Sequence, residues 1–301
     1  MPDRTVPRCG FVAIVGRPNV GKSTLLNHLV QQKISITSRK PQTTRHNILG
    51  IRSADAGQIV YVDTPGMHSD EKGAMNRYMN RSAVHALGDI DAVLFVVEAL
   101  KWTVMDDAIL QKLNHINAPV ILVVNKVDRV KNKTELLPWL KESEGKGVFS
   151  SVVPVSALKG TQLDVIEAQL IELLPCGEPM FPQDQVTDRS ERFLAAEIVR
   201  EKLTRALGQE LPYALTVEIE SYEVQKDIVH IGAIVWVERK SQKSIVIGEG
   251  GKNLKKIGVS ARFDIEKLVG KRVNLKMWVK TKEGWSNNER SLKSLGYREY
   301  P

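Results

Sequence analysis

Residues Gly16-Arg17-Pro18-Asn19-Val20-Gly21-Lys22-Ser23, followed by Thr24, are the stretch on which the reading of this chain turns. Two glycines five apart, then lysine and a hydroxyl residue, satisfy the phosphate-loop spacing, and that spacing carries meaning only between a strand and a helix. Both neighbours are present. The apolar run at 11–15 reads as a buried strand, and residues 22–32 carry a helical pattern. Gly16 and Gly21 permit a tight path that turns backbone N–H groups onto phosphate oxygens, aided by the positive end of the following helix. Lys22 supplies a point charge for outer phosphates, and Ser23 a hydroxyl for Mg²⁺.

Further apolar runs at 59–62, 92–97, 120–124 and 152–155 need no polar alternation if both their faces are covered. Helical patterns at 74–87, 106–116, 134–142 and 162–174 lie between them, so the alternation predicts a doubly wound α/β layer built on a parallel sheet. Three motifs then fall just after strands. Asp63-Thr64-Pro65-Gly66 stands 40 residues after Ser23; Asp63 can hold Mg²⁺ through water, and the Gly66 N–H can meet a γ-phosphate. Asn125-Lys126-Val127-Asp128 offers a carboxylate that accepts both the ring N–H and the exocyclic amine of guanine, a donor pair adenine lacks. Ser156-Ala157 would set backbone N–H groups against the guanine oxygen.

Between the loop and Asp63, the polar stretch 33–46 is broken by Pro41, and such a segment can order around γ-phosphate and Mg²⁺. Thr44 is the metal ligand expected there, with Thr43 as the alternative. Lys22, Thr44 and Gly66 are the expected catalytic groups, and Ser23, Thr44 and Asp63 the expected metal ligands. Residues 67–73 form a second candidate switch.

The ordered set Gly16 to Ser23, Gln42-Thr43-Thr44-Arg45-His46, Asp63 to Gly66, Asn125 to Asp128 and Ser156-Ala157 resembles the translation-associated P-loop GTPases of the Era type. The resemblance implies a doubly wound domain that converts GTP and water to GDP and phosphate. Many GTPases orient the attacking water with a glutamine just after Gly66; here that position is Met67, whose thioether cannot. Slow intrinsic turnover is therefore expected. The resemblance further implies that Asn19 helps bind K⁺, an ion able to supply the charge that an arginine supplies elsewhere.

The chain has 301 residues, 42% hydrophobic and 26% charged, which excludes wholesale disorder and favours two domains. No long apolar run or secretory pattern is evident, and Cys9 and Cys176 lack metal-ligand or paired spacing, so an intracellular, reducing location is expected. The proline-rich stretch at 175–189 marks a boundary: a GTPase domain over 1–175, a linker over 176–190 and a second domain over 191–301.

The net charge is +8, and the segment from Arg239 to Lys282 holds 13 Lys and Arg against Glu249, Asp264 and Glu266. A polyanionic partner follows. Within it, Gly248-Glu249-Gly250-Gly251 is a Gly-x-x-Gly loop preceded by the apolar residues 245–247 and followed by Lys252, Lys255 and Lys256. KH domains clamp single-stranded nucleic acid with such a loop at a helix start. Half-exposed strands at 216–220 and 229–237 before the loop, a helix over 252–268 and a strand over 272–280 suit an α+β type II KH domain. Glu249 sits unfavourably beside phosphate, with Lys252 the nearest compensating charge. Trp236, Trp278 and Trp285 read as core packing before base stacking.

The order GTPase, linker, KH resembles the Era family over nearly the whole chain. Within that family the combination implies a partner at the 3′ end of small-subunit (16S) ribosomal RNA, a role in maturing the small ribosomal subunit, and a monomer. Two other readings compete: an RNA chaperone with a regulatory, barely hydrolysing nucleotide site, and a peripheral membrane GTPase at the cytoplasmic face of the inner membrane.

Overall fold

The computed structural model describes residues 7–38, 43–66, 73–85, 88–207 and 215–297. Two compact units divide the chain. The first takes Met1–Ser35, Thr44–Glu71 and Met79–Asp188; the second takes Ile36–Thr43, Lys72–Tyr78 and Arg189–Pro301.

The first unit is a six-stranded sheet in the order β2-β3-β1-β4-β5-β6. β1 (Arg8–Val15), β3 (Gly57–Asp63), β4 (Ala92–Glu98), β5 (Val120–Asn125) and β6 (Ser151–Pro154) run parallel, and β3 is buried along its whole length. Helices α1 (Lys22–Leu29), α3 (Val104–Leu113), α4 (Leu136–Glu144) and α5 (Leu163–Leu173) connect them, while α2 (Ala74–His85) is divided, its residues through Tyr78 counting with the second unit. The sequence expectation of a purely parallel sheet needs one correction. β2 (Ile48–Ala54) pairs antiparallel with β3 and was not anticipated. Gly50 and Arg52 interrupt its apolar pattern, and Gly50 is required by packing: a Cβ there would come within 2.5 Å of Leu26 on α1.

β1 lies between β3 and β4, with the chain building outward on either side of it. A crevice at the carboxyl ends of the strands is the place where such sheets bind ligands. Register puts Asp63 beside Ile14 and Asn125 beside Glu98, so the motif residues share that end.

The stretch expected as a linker carries no helix or strand, yet it lies along the first unit. Gln58, on β3 and fully buried, accepts from the N–H groups of Met180 and Phe181 (2.9 and 3.0 Å) and donates to the Phe181 carbonyl (2.9 Å). Farther on, Ile51 N–H donates to the Val186 carbonyl at 2.9 Å, Gly50 pairs with Thr187, and Leu49 N–H donates to Asp188 Oδ1 at 3.1 Å.

The second unit pairs β7 (Leu215–Gln225) antiparallel with β8 (Ile228–Val237), and β8 parallel with β9 (Arg272–Thr281). Helix α6 (Glu191–Ala206) and helix α8 (Lys252–Val269) share a core of Val199, Leu203, Val235, Ala261 and Ile265 with that sheet. A short α9 (Glu289–Ser294) follows a 3-10 turn over Trp285–Asn287. The apolar residues before the Gly-x-x-Gly loop end a helix, α7 (Lys240–Ile247), which the sequence reading did not include. Its start is capped by Gln242, whose Oε1 accepts from the N–H groups of Glu238 and Arg239, both at 2.9 Å. Among the described residues no helix is long and apolar enough to cross a membrane.

Candidate functional site: a nucleotide crevice and a basic helical loop

The phosphate loop takes the path its glycines permit. Gly16 and Gly21 have φ of 153° and 110°, and a Cβ on either would meet Val96 O at 2.4 Å or Asn125 Nδ2 at 2.3 Å. Asn19 also has a positive φ, 66°, and its side chain is exposed. Gly21 caps α1, so Lys22, Ser23 and Thr24 begin the helix at its positive end. Lys22 arches back over the loop, its Nζ donating to the carbonyls of Gly16 (2.8 Å) and Arg17 (3.1 Å), two of an ammonium's three donors. Burial is the main reason its pKa falls to about 8; Asp63 pulls it back up and Arg17 pushes it further down.

Asp63 is fully buried, and three hydroxyls converge on its Oδ2: Ser23 and Ser35 at 2.9 Å, and Thr44 at 3.4 Å. The Ser23 and Thr44 hydroxyls are 2.8 Å apart. Asp63 Oδ1, equally buried, has no hydrogen-bond partner. Burial raises the Asp63 pKa, against the pull of Lys22 and the three hydroxyls. An all-oxygen cluster around one carboxylate, with an orphaned oxygen, fits a hard divalent cation that completes its shell with water and phosphate. No group of three His, Cys, Asp or Glu side chains that could hold a metal by themselves occurs among the described residues. Thr43, the alternative ligand, turns its carbonyl to Arg200. Thr64 donates to the Ile14 carbonyl at 2.9 Å, and Gly66 lies beside Pro18, which a Cβ at Gly66 would approach to 3.1 Å.

At the other end of the crevice one amide joins three loops. Asn125 Nδ2 donates to the Val20 carbonyl at 2.8 Å, while its Oδ1 accepts from Lys126 N–H at 2.7 Å and Ala157 N–H at 2.9 Å. The Ala157 N–H, expected to face a guanine oxygen, here donates to Asn125 Oδ1. Ser156 donates its hydroxyl to Asp128 at 2.6 Å, and Val127 N–H donates to the Val155 carbonyl at 3.2 Å.

Sequence reading missed three supporting residues, Ser35, Glu98 and Asp106. Ser35, held by Asn27 Oδ1 at 2.9 Å, faces Asp63. Glu98 meets Lys126 at 3.0 Å and Arg17 at 3.3 Å, and Asp106, fully buried, accepts from Arg17 Nε at 3.1 Å. Burial alone would raise the Glu98 pKa, but the hydrogen bond and charge of Lys126, with Arg17, bring it below the usual range. The spacing Thr103-x-x-Asp106, a helix-start signature, was the available signal for Asp106. Met67, Gln42 and residues 67–72 of the second candidate switch lie outside the described residues.

In the second unit, Gly248, Gly250 and Gly251 all have positive φ (72°, 57° and 79°), and the loop joins α7 to α8. A Cβ at Gly250 or Gly251 would meet nothing within 4 Å, so backbone conformation rather than crowding calls for glycine there. Glu249 and Lys252 are exposed and 3.9 Å apart, which gives the carboxylate its own countercharge. A groove of ≈ 360 Å³ runs from Gly251 along Leu254, Gly258 and Arg262 to Leu275 and Met277 on β9. Lys255 lines it too; on the neighbouring face of α8, Lys252, Lys255 and Lys256 lead to Phe263, which is 52% exposed. The tryptophans divide: Trp285 is buried on the 3-10 turn rather than on a strand, Trp236 is half-buried and donates to Glu218 at 2.8 Å, and Trp278 is 45% exposed, contrary to core packing.

Comparison with known proteins agrees with this geometry. Residues 11–126 match a family described as 50S ribosome-binding GTPase, and residues 210–286 match the KH domain. GTPase Era of Marinobacter nauticus is 54% identical over 299 residues, covering 99% of this chain and 98% of the relative, and GTPase Era of Pseudomonas savastanoi pv. phaseolicola is 54% identical over 297. Two crystal structures share 38% identity with it and cover 97% of it: an Aquifex aeolicus Era variant bound to GDP·AlF4⁻ (TM-score 0.93), and Era with MgGDPNP and nucleotides 1506–1542 of 16S ribosomal RNA (TM-score 0.94). A phosphate loop, a guanine-type carboxylate and a Gly-x-x-Gly helix pair in one chain, with relatives alike from end to end, place it in a single family: the chain belongs to the Era GTPases, a P-loop GTPase domain followed by a KH domain.

Proposed function

We propose that the chain binds and hydrolyses GTP and uses its KH unit to hold the 3′ end of 16S ribosomal RNA during maturation of the small ribosomal subunit. The observation carrying this reading is that a guanine-type crevice and a single-strand-type groove occur together in a chain that matches an Era–16S RNA complex at TM-score 0.94.

In this reading the backbone of residues 16–24 wraps the phosphates, and the free donor of Lys22 reaches the outer ones. Ser23, Thr44 and Asp63 hold Mg²⁺, directly or through water, and the ion when bound neutralises phosphate charge. The Gly66 N–H meets the γ-phosphate. Asp128 accepts from the two guanine donors, while Asn125 fixes the loops of Val20 and Ala157 around the base. With methionine at position 67, water orientation falls to other groups, and the role of helping to bind K⁺ is assigned to Asn19, whose exposed side chain supports it. Equal hydrolysis rates in K⁺ and Na⁺ would remove the potassium assignment.

Gly248 to Gly251 let an RNA backbone approach the start of α8, Lys252, Lys255 and Lys256 face phosphates, and the groove along β9 receives bases. The test is binding of a labelled oligonucleotide matching the 16S 3′ end, with GTP analogue, GDP or no nucleotide, against a scrambled control. Selective binding that changes with nucleotide state is expected. Equal binding of the scrambled sequence would remove the ribosomal assignment, and equal binding in all nucleotide states would uncouple the two units.

A further inference from the structure

Arg17 occupies a position that the phosphate-loop spacing leaves open, yet its side chain is withdrawn from water, with 8% of the residue exposed. An arginine is costly to bury unless its donors are paired. Its partners lie on a segment that carries no nucleotide motif, the end of β4 and the start of α3. Nε donates to Asp106 Oδ2 at 3.1 Å, and Nη2 donates to Glu98 Oε2 at 3.3 Å. Asp106 has no exposed surface, and the same Oδ2 accepts from the Thr103 N–H (2.9 Å) and hydroxyl (2.8 Å), which seats it on the first turn of α3. Glu98 Oε2 also accepts from Lys126 Nζ at 3.0 Å. One carboxylate oxygen therefore holds a cation from each end of the crevice. At the phosphate end, the Arg17 carbonyl accepts from Lys22 Nζ at 3.1 Å, so the lysine is seated on the residue that Glu98 holds. At the guanine end, the Lys126 N–H donates to Asn125 Oδ1 at 2.7 Å. β4 lies between β1 and β5, so Glu98 stands between the loops that follow those two strands. All these residues belong to the first unit. The side chains of Glu98 and Lys126 are 22% and 18% exposed, which leaves their pairing less screened than a surface one.

We propose that Glu98 is a positioning residue that joins the phosphate loop and the guanine loop into one rigid receptor, so that Arg17, at the phosphate end, takes part in the choice of base at the other end. This rests on the GTPase reading above. Asp128 discriminates between bases only while the base is held at a fixed distance from the phosphates. If the two loops move independently, a base with one donor settles against the carboxylate nearly as well as a base with two. A receptor ordered before the ligand arrives loses less freedom on binding and keeps that distance fixed. Hypoxanthine is the matching probe, because it has the ring N–H of guanine and lacks the exocyclic amine.

The test uses the full chain and five variants: Arg17→Ala, Glu98→Ala, their combination, Arg17→Lys and Glu98→Gln. Without Arg17, Asp106 keeps both bonds from Thr103, and melting temperatures check that each variant folds. Glu98→Gln keeps an acceptor in place and leaves the pairing of Arg17 with Asp106 untouched, so it reports on the bridge even if the alanine variants fold poorly. Affinities for GDP and IDP are measured by calorimetric titration with Mg²⁺. Coupling within such a network predicts that Arg17→Ala and Glu98→Ala each shrink the preference for GDP over IDP about three- to tenfold. The combination should shrink it no further than the larger single effect, because both changes break one bridge. Glu98→Gln should shrink it less than Glu98→Ala. A lysine at 17 can reach one carboxylate but not fork between two, so Arg17→Lys should keep part of the preference.

Equal losses for GDP and IDP, leaving their ratio at the wild-type value, would mark a merely structural role and overturn the proposal. So would variants that bind both nucleotides like wild type, or a wild-type chain with no preference for GDP over IDP; these outcomes leave the GTPase reading intact. A wild-type chain that binds GDP no better than ADP overturns both.

Discussion

Lys22 carries the clearest pH signature. Its pKa in the folded, empty protein is about 8, below the ordinary 10.5, chiefly through burial. Between those values the unfolded chain holds a proton that the folded chain lacks, so the empty protein gains stability as pH rises through that window. Bound phosphate favours the ammonium, so binding above pH 8 takes up a proton. GDP affinity measured by titration should therefore fall about tenfold from pH 7 to pH 9, and Lys22→Arg should flatten the change. At the guanine end, Asp128→Asn replaces an acceptor pair by one acceptor and one donor. That pattern suits xanthine, which carries a carbonyl where guanine carries an amine. GTP affinity should drop about 10³-fold, with XTP preferred in a competition assay. These motif residues were legible because each set is contiguous. Ser35 and Asp106 were not, since their partners Asp63 and Arg17 lie 28 and 89 residues away.

At the scale of elements, the basic loop shows how tertiary context overrides local preference. The residues Ile245-Val246-Ile247 are β-branched, which disfavours helix, yet they finish α7, where Val246 is fully buried in the core. The sequence therefore conveyed the loop and the helix after it, but not the helix before it. In a fluorescence-anisotropy titration with single-stranded RNA, changing Lys252, Lys255 and Lys256 to alanine should weaken binding for every sequence. The log–log salt slope should fall by about 0.7 for each phosphate that the variant no longer neutralises. Gly251→Asp should weaken RNA binding for two reasons: the new side chain needs a strained backbone (φ 79°), and it brings negative charge to the loop. Because α8 and the sheet are otherwise untouched, its nucleotide affinity should match wild type in the same preparation.

At the scale of the whole molecule, the strand and helix alternation conveyed both folds, but not how the chain is shared between units. The second unit draws on 36–43 and 72–78 as well as the C-terminal third, and no composition shift marks those insertions. Nor does proline content reveal that residues 176–188 are tied down; it reports only that they cannot form a regular element. The part of that stretch lying along β2 has a practical consequence. β2 is the last strand on its side of the sheet, and Val186, Thr187 and Asp188 occupy the hydrogen-bonding groups that would otherwise face outward. Sheets with an uncovered outer strand recruit other chains by pairing with them. A fragment ended among the prolines at 175 would present such a strand and should self-associate in light scattering; one ended after Asp188 keeps its margin sealed and should stay dispersed.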